Sequence, residues 1–337
     1  DESCWFCVNG SYVGGHHMTN NNADYTAGRD KGGQFLVDPN GLQISATDNT
    51  IFEFNTSIVM DPNGGALTIG STSTVNGLAK NGRVGLWADN QLNKVEIVAG
   101  KLHAGSNRYA LRTQDANTAA EIEAWGGGIM ANLSLEPGEK RAVWGNDFII
   151  HDDFYFESSG AANDIVFGDL TAGEVTISDT LSRDPIIAFD GNVNLTGGTT
   201  TLHDGEWKFN GTLQGPGDLL RTGSGSSTLY LGGDNSDYDG TIAVEAGDLY
   251  ATGANSLGTG TVTITGSGHY EIFIEAPQLP VDLIAYQGDI RALVPRAITG
   301  GNVEVLSHAF QAVTGGVVDA NLTLLNTPDV EVNALTG

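Results

Sequence analysis

Apolar and polar positions alternate along most of this chain in short runs. The alternation puts successive side chains on opposite faces of a strand, so one face of each run is apolar. One such run recurs: a glycine, then an apolar or Thr position two places on, then Ile, Ala or Leu two further. It is found at Gly65-Ala66-Leu67-Thr68-Ile69, Gly100-Lys101-Leu102-His103-Ala104 and Gly173-Glu174-Val175-Thr176-Ile177. It returns at Gly198-Thr199-Thr200-Thr201-Leu202 and most clearly at Gly247-Asp248-Leu249-Tyr250-Ala251. From Gly100 onward the spacings of these glycines lie near multiples of about 24.

A repeat of that length, built from short strands and Gly/Asn turns, predicts an all-β fold, a right-handed parallel β-helix or β-solenoid. Each coil then stacks on the next, with alternate residues in a narrow apolar core. An all-β sandwich also repeats short strands at regular intervals and is the competing architecture. Residues 51–54, 66–69 and 95–98 read as strands. Residues 117–125 fit a short helix or a strand with Ile122 inward, and 148–156 an aromatic strand pair. The chain divides into an irregular N-terminal cap (1–40), a solenoid (41–275) and C-terminal strands with an assembly region (276–337).

Composition agrees and excludes other classes. The 47 glycines among 337 residues are about twice the usual share, which disfavours a helical bundle. Fifteen basic against 41 acidic residues give a net charge of −26. That balance argues against nucleic acid and against an anionic membrane surface, both of which need a basic face. No apolar run reaches the length of a membrane helix. The 40% apolar content still provides a packed core.

Residues 209–264 carry a more specific pattern. Leu219-Leu220-Arg221-Thr222-Gly223-Ser224-Gly225 is followed by Leu229-Tyr230-Leu231, then Tyr238-Asp239-Gly240-Thr241, Gly247-Asp248-Leu249 and Leu257-Gly258-Thr259-Gly260-Thr261-Val262. This order resembles the autotransporter-associated β-strand repeat of bacterial surface proteins. The match is strong over this segment, and the remainder of the chain follows it only in style. The resemblance implies an exported β-helix displayed outside a bacterium and acting as a scaffold without catalytic residues. Autotransporters end in a membrane β-barrel, and the segment after Ile264 is too short for one.

The candidate chemistry is sparse. Cys4 and Cys7, the two cysteines, fit a structural disulfide that ties the cap. Zinc with His16 and His17, or a redox pair, are the alternatives. A single tight pair suits export, and Asp1 suits a mature N-terminus left by leader cleavage. Asp237 and Asp239 nearly fit a calcium loop, but Glu245 falls one position early for the final ligand. No cofactor is expected beyond weakly bound calcium. Gly65, Gly100, Gly173, Gly198, Gly247, Tyr238 and Gly240 read as turn positions of the repeat. His151-Asp152-Asp153 and His203-Asp204 are the acid–base candidates, although Asp is also an ordinary turn residue.

These features predict a non-enzymatic structural or adhesive protein of the bacterial cell surface. The alternatives are a subunit of an extracellular filament or sheath, and a polysaccharide-acting β-helical enzyme. Expected partners are further copies of the chain and a surface polysaccharide or host-cell ligand. Val330, Val332 and Leu335 alternate as a last strand and are the candidate assembly contacts.

Overall fold

A computed structural model describes residues 11–13, 34–37, 42–45, 51–54, 57–60, 67–69, 83–86, 94–97, 101–104, 121–131, 147–158, 165–179, 186–266, 270–306 and 308–332. Among the described residues the regular structure is all strand and the paired strands run parallel. The fold is a parallel β-solenoid. Two compact units are distinguished, Asp1–Gly168 with Thr180–Arg183, and Asp169–Asp179 with Asp184–Gly337.

In the second unit each coil contributes a strand to each of two long stacks, and some coils add a short third strand, such as Leu170–Ala172, Val193–Leu195 and Leu213–Gln214. The first sheet runs through Val175–Asp179, Thr199–His203, Asp218–Thr222, Ile242–Val244, Thr261–Ile264, Asp282–Ala285, Asn302–Val305 and Asn321–Leu324. The second runs through Ile186–Phe189, Glu206–Phe209, Thr228–Leu231, Asp248–Ala251, Glu271–Ile274, Asp289–Ala292, Ala309–Ala312 and Asp329–Val332. That makes eight coils. The register passes residue 275 without a break, Ile264 pairing with Ala285 and Ile274 with Ala292.

Register converts the alternation into rows. On the second sheet Ile187, Trp207, Leu229, Leu249, Ile272, Ile290 and Phe310 lie one above another, and each is fully buried. On the first sheet Leu219, Ile242, Val262, Leu283 and Val303 form a matching buried row. Parallel neighbours repeat at about 4.8 Å. Apolar side chains in register therefore touch those above and below, and interdigitate with the opposite sheet.

The coil is shorter than the glycine spacing predicts. Ile186 pairs with Glu206, Glu206 with Thr228 and Thr228 with Asp248. Each of these steps falls short of the period expected from the glycines. Gly173 and Gly198 are equivalent, since Val175 pairs with Thr200. Gly247 is not equivalent to them. It precedes a strand of the second sheet, whereas Gly198 precedes one of the first. Both sheets open their strands with the same glycine turn, so the interval from Gly198 to Gly247 mixes the two. Gly65 and Gly100 lie outside the described residues.

The first unit shows the same parallel stacking with longer coils. Leu42 pairs with Leu67 and Leu67 with Val95, then Lys94 with Glu121 and Glu121 with Asp147. The segment 117–125, read as a helix or a strand, supplies the start of a strand, Glu121–Ala131, with Ile122 fully buried. The segment 148–156 is part of one strand, Asp147–Ser158, not a pair. Its inward Phe148, Phe154 and Phe156 pack with Phe167, and ring centroids lie 4.6 to 6.1 Å apart.

The rows predict a sharp contrast between faces. Leu249→Ala should cost about 2–5 kcal/mol in urea unfolding, because rigid neighbours above and below cannot close the cavity. Thr263→Ala, outward on the first sheet, should stay within about 0.5 kcal/mol.

Candidate functional site

Several polar groups sit inside the second unit. Arg221 occupies an inward position between Leu202 and Val244 and is fully buried. Its guanidinium donates to the carbonyls of Leu202 and Gly205, both at 2.9 Å, and to that of Thr222. It thereby satisfies the corner at which the chain leaves the first sheet one coil earlier. Burial pushes its pKa down from the ordinary value to about 10, against the upward pull of Asp204 and Asp179.

Tyr238 is the second group. It is fully buried and its hydroxyl donates to the Gly217 carbonyl at 2.9 Å. Burial, then Asp218 and Asp239, push its pKa upward. Gly240 is required beside it, since a β-carbon there would come within 2.5 Å of both the Gly217 carbonyl oxygen and the Tyr238 hydroxyl. At Gly247 φ is +76° and a β-carbon would collide with the Ser227 carbonyl oxygen.

Asn235 ties three successive connections. The Leu213 N–H donates to its Oδ1 at 2.6 Å, and its Nδ2 donates to the Ser256 carbonyl. Two coils on, Gln278 accepts from the Leu257 N–H and donates to the Gly253 carbonyl, each at 3.0 Å. These side chains supply partners to backbone groups at corners, where no strand pairing can.

The acid–base candidates occupy corners too. His203 Nδ1 lies 3.1 Å from Asp204 Oδ2, and both side chains are exposed. Asp204 has φ +55°, accepts from the Ser224 N–H and gives its carbonyl to the Trp207 indole N–H at 2.6 Å. It shapes a corner and pulls on Arg221. In the first unit the register of Ala124 with Ile150 and Trp125 with Asp152 leaves His151 as the extra residue of a β-bulge. Its Nε2 meets Glu123 Oε1 at 2.7 Å and its ring stacks on Trp125 at 4.9 Å. Asp152 and Asp153 are exposed beside it.

Asp237 and Asp239 are exposed on either side of buried Tyr238. Among the described residues no group of three His, Cys, Asp or Glu is set to hold a metal ion. Cys4, Cys7, His16, His17 and Leu335 lie outside the described residues. Val330 and Val332 belong to the last described strand, Asp329–Val332.

The outer face of the second sheet carries an arrangement not foreseen from sequence. Lys208, Tyr230, Tyr250, Phe273, Arg291, Gln311 and Glu331 fall in one row. Tyr230 and Tyr250 stack at 5.0 Å, and Tyr250 and Phe273 at 4.4 Å. The Arg291 guanidinium lies 5.6 Å from the Phe273 centroid. Beside this column runs a second outward row that includes Glu206, Asp248, Glu271, Asp289 and Asp329. Burial and its bond to Glu206 push the Tyr230 pKa up to about 12. The Tyr250 phenol moves the same way through burial and nearby carboxylates.

Compared with known proteins, the chain matches no family model, no curated protein and no solved structure.

The buried groups set the response to mutation and to alkali. Tyr238→Phe leaves the Gly217 carbonyl without this donor and should cost about 1–3 kcal/mol in urea unfolding. Above pH of about 10 the unfolded chain releases phenol protons that the folded chain keeps, so the unfolded state binds fewer protons and stability falls. Arg221 has the opposite sign over this range, as its folded pKa is the lower one. Three raised phenols against one lowered guanidinium give a net loss between pH of about 10 and 12. Unfolding midpoints across that range should fall, and Tyr230→Phe should flatten the fall.

Proposed function

We propose that this chain is the non-catalytic scaffold of an exported bacterial surface protein, similar to an autotransporter passenger, and that it presents its outer faces for adhesion. The observation that carries this reading is the unbroken register of eight coils. A stack of this kind spends its inward residues on rigidity and leaves whole rows of outward side chains to present. The polar side chains buried in it serve corner carbonyls and amides. Export and display account for the acidic, low-lysine composition and for a single close cysteine pair. Immunogold labelling of intact cells of the source organism tests this. Label on unbroken cells or on shed material is expected, and label only after lysis would refute it.

A filament subunit is the second reading, favoured by the last described coil. Val330 lies in the row whose other members are fully buried, yet it is 47% exposed, and Leu325 is 53% exposed. A second copy of the chain would cover these residues and pair with the strand edge. Cations would screen the like charges of the subunits. Light scattering should therefore rise in calcium or high salt, fall with a chelator, and stay low for a version cut before Thr327. A full chain that stays monomeric at high concentration in both buffers ends this reading.

A further inference from the structure

The aromatic column on the outer face of the second sheet sets two phenols one above the other. Tyr230 and Tyr250 are partners in register on adjacent coils. Their rings stack with centroids 5.0 Å apart and planes 24° apart. Phe273 covers the other side of Tyr250 at 4.4 Å, and its ring carries no phenol. Both tyrosines are half-buried, so part of each side chain reaches solvent. Tyr238, by contrast, is fully buried and its hydroxyl is held by the Gly217 carbonyl. Strand pairing keeps the two backbones about 4.8 Å apart, and the rings cannot drift away from each other while the register holds.

The surroundings favour removal of an electron and a proton together. The Tyr230 hydroxyl is hydrogen-bonded to the Glu206 carboxylate. Asp248, Glu271 and Glu275 act on the Tyr250 phenol, with Arg291 opposing them. Negative charge close to a ring stabilises the positive charge that develops as an electron leaves. Burial and these carboxylates raise both phenol pKa values, so near neutral pH each phenol keeps its proton until it is oxidised. A hydrogen-bonded carboxylate is then the group that receives it. The radical so formed on one ring lies against a second oxidisable ring.

We propose that Tyr230 and Tyr250 are an oxidative modification site, at which a peroxide-driven one-electron oxidant joins the two rings into an intrachain dityrosine. Each phenol gives one electron to the oxidant and one proton to Glu206 or to water. The two phenoxyl radicals then form one C–C bond between ortho carbons, rotation of the side chains closing the gap between the stacked rings. The hydrogens on those carbons move to the oxygens and restore both phenols. Two electrons and two protons leave per crosslink, and one hydrogen peroxide accepts them to give two waters. The tie joins neighbouring coils covalently and restricts the unfolded chain, as a disulfide closing the same loop does. It goes beyond the scaffold reading and does not depend on where the protein resides.

Photo-oxidation of the full chain with a tris-bipyridyl ruthenium complex and persulfate tests this, the complex serving as one-electron oxidant. Peptide mass spectrometry of the monomer band should find positions 230 and 250 linked, with the loss of two hydrogens, and the band should show dityrosine fluorescence. Tyr230→Phe and Tyr250→Phe should each abolish that link. Tyr286→Phe should leave it unchanged, although Tyr286 is 49% exposed and more open to the oxidant. In Tyr230→Phe/Phe273→Tyr the phenols again stand on adjacent coils, and linkage should return between positions 250 and 273. These positions face outward, and each variant should melt as the parent does before oxidation. In urea the register is lost, and the preference for this pair should vanish. The proposal is overturned if the folded chain yields no link between 230 and 250, if that pair forms equally well in urea, or if the double variant restores no link.

Discussion

Every coil of a parallel solenoid leaves its backbone N–H and C=O groups pointing along the stack, and the next coil satisfies them. That demand for in-register neighbours governs the remaining features. Strands pair only if coils have nearly equal length, so insertions are confined to the connections. Register then places residues of like position over one another, and one polar residue facing inward must find its partners within a coil or two. Arg221, Tyr238, Asn235 and Gln278 meet that requirement at corners, where the chain turns and strand pairing stops. Burying Arg221 is expensive, and the lowered pKa records the cost. Three corner carbonyls accept from it in return.

Much of this architecture is legible in the sequence. The Gly-x-Leu alternation marks real strands, and Tyr238 with Gly240 marks a corner whose geometry a β-carbon at 240 would break. The coil length is less legible. Gly198 and Gly247 introduce strands of different sheets with the same local chemistry, so their spacing is not a whole number of coils. Arg221 belongs to a quoted motif, but its role was hidden. In Leu219-Leu220-Arg221 either leucine suits the core, and the choice of face comes only from pairing with Thr200 and Leu202.

The outer face was hidden for a related reason. Tyr230, Tyr250 and Phe273 stand a full coil apart along the chain, each the single aromatic facing outward from its strand. Nothing local aligns them; the register does. A surface of this kind is composed one residue per coil, so its chemistry is spread along the chain and escapes any search for compact motifs. His151 and His203, which do sit in compact motifs, lie at a bulge and beside a corner.

The central claim is that sequence distance converts to coil number through register. Spin labels on one outward row measure this directly, in a background with Cys4 and Cys7 replaced by Ser. Thr201 paired in turn with Thr263, Ile284, Glu304 and Thr323 spans three, four, five and six coil steps. The account predicts backbone separations of about 14, 19, 24 and 29 Å, one strand spacing per coil. Separations that fail to rise by one even step per coil, or that are the same for all four pairs, would contradict it.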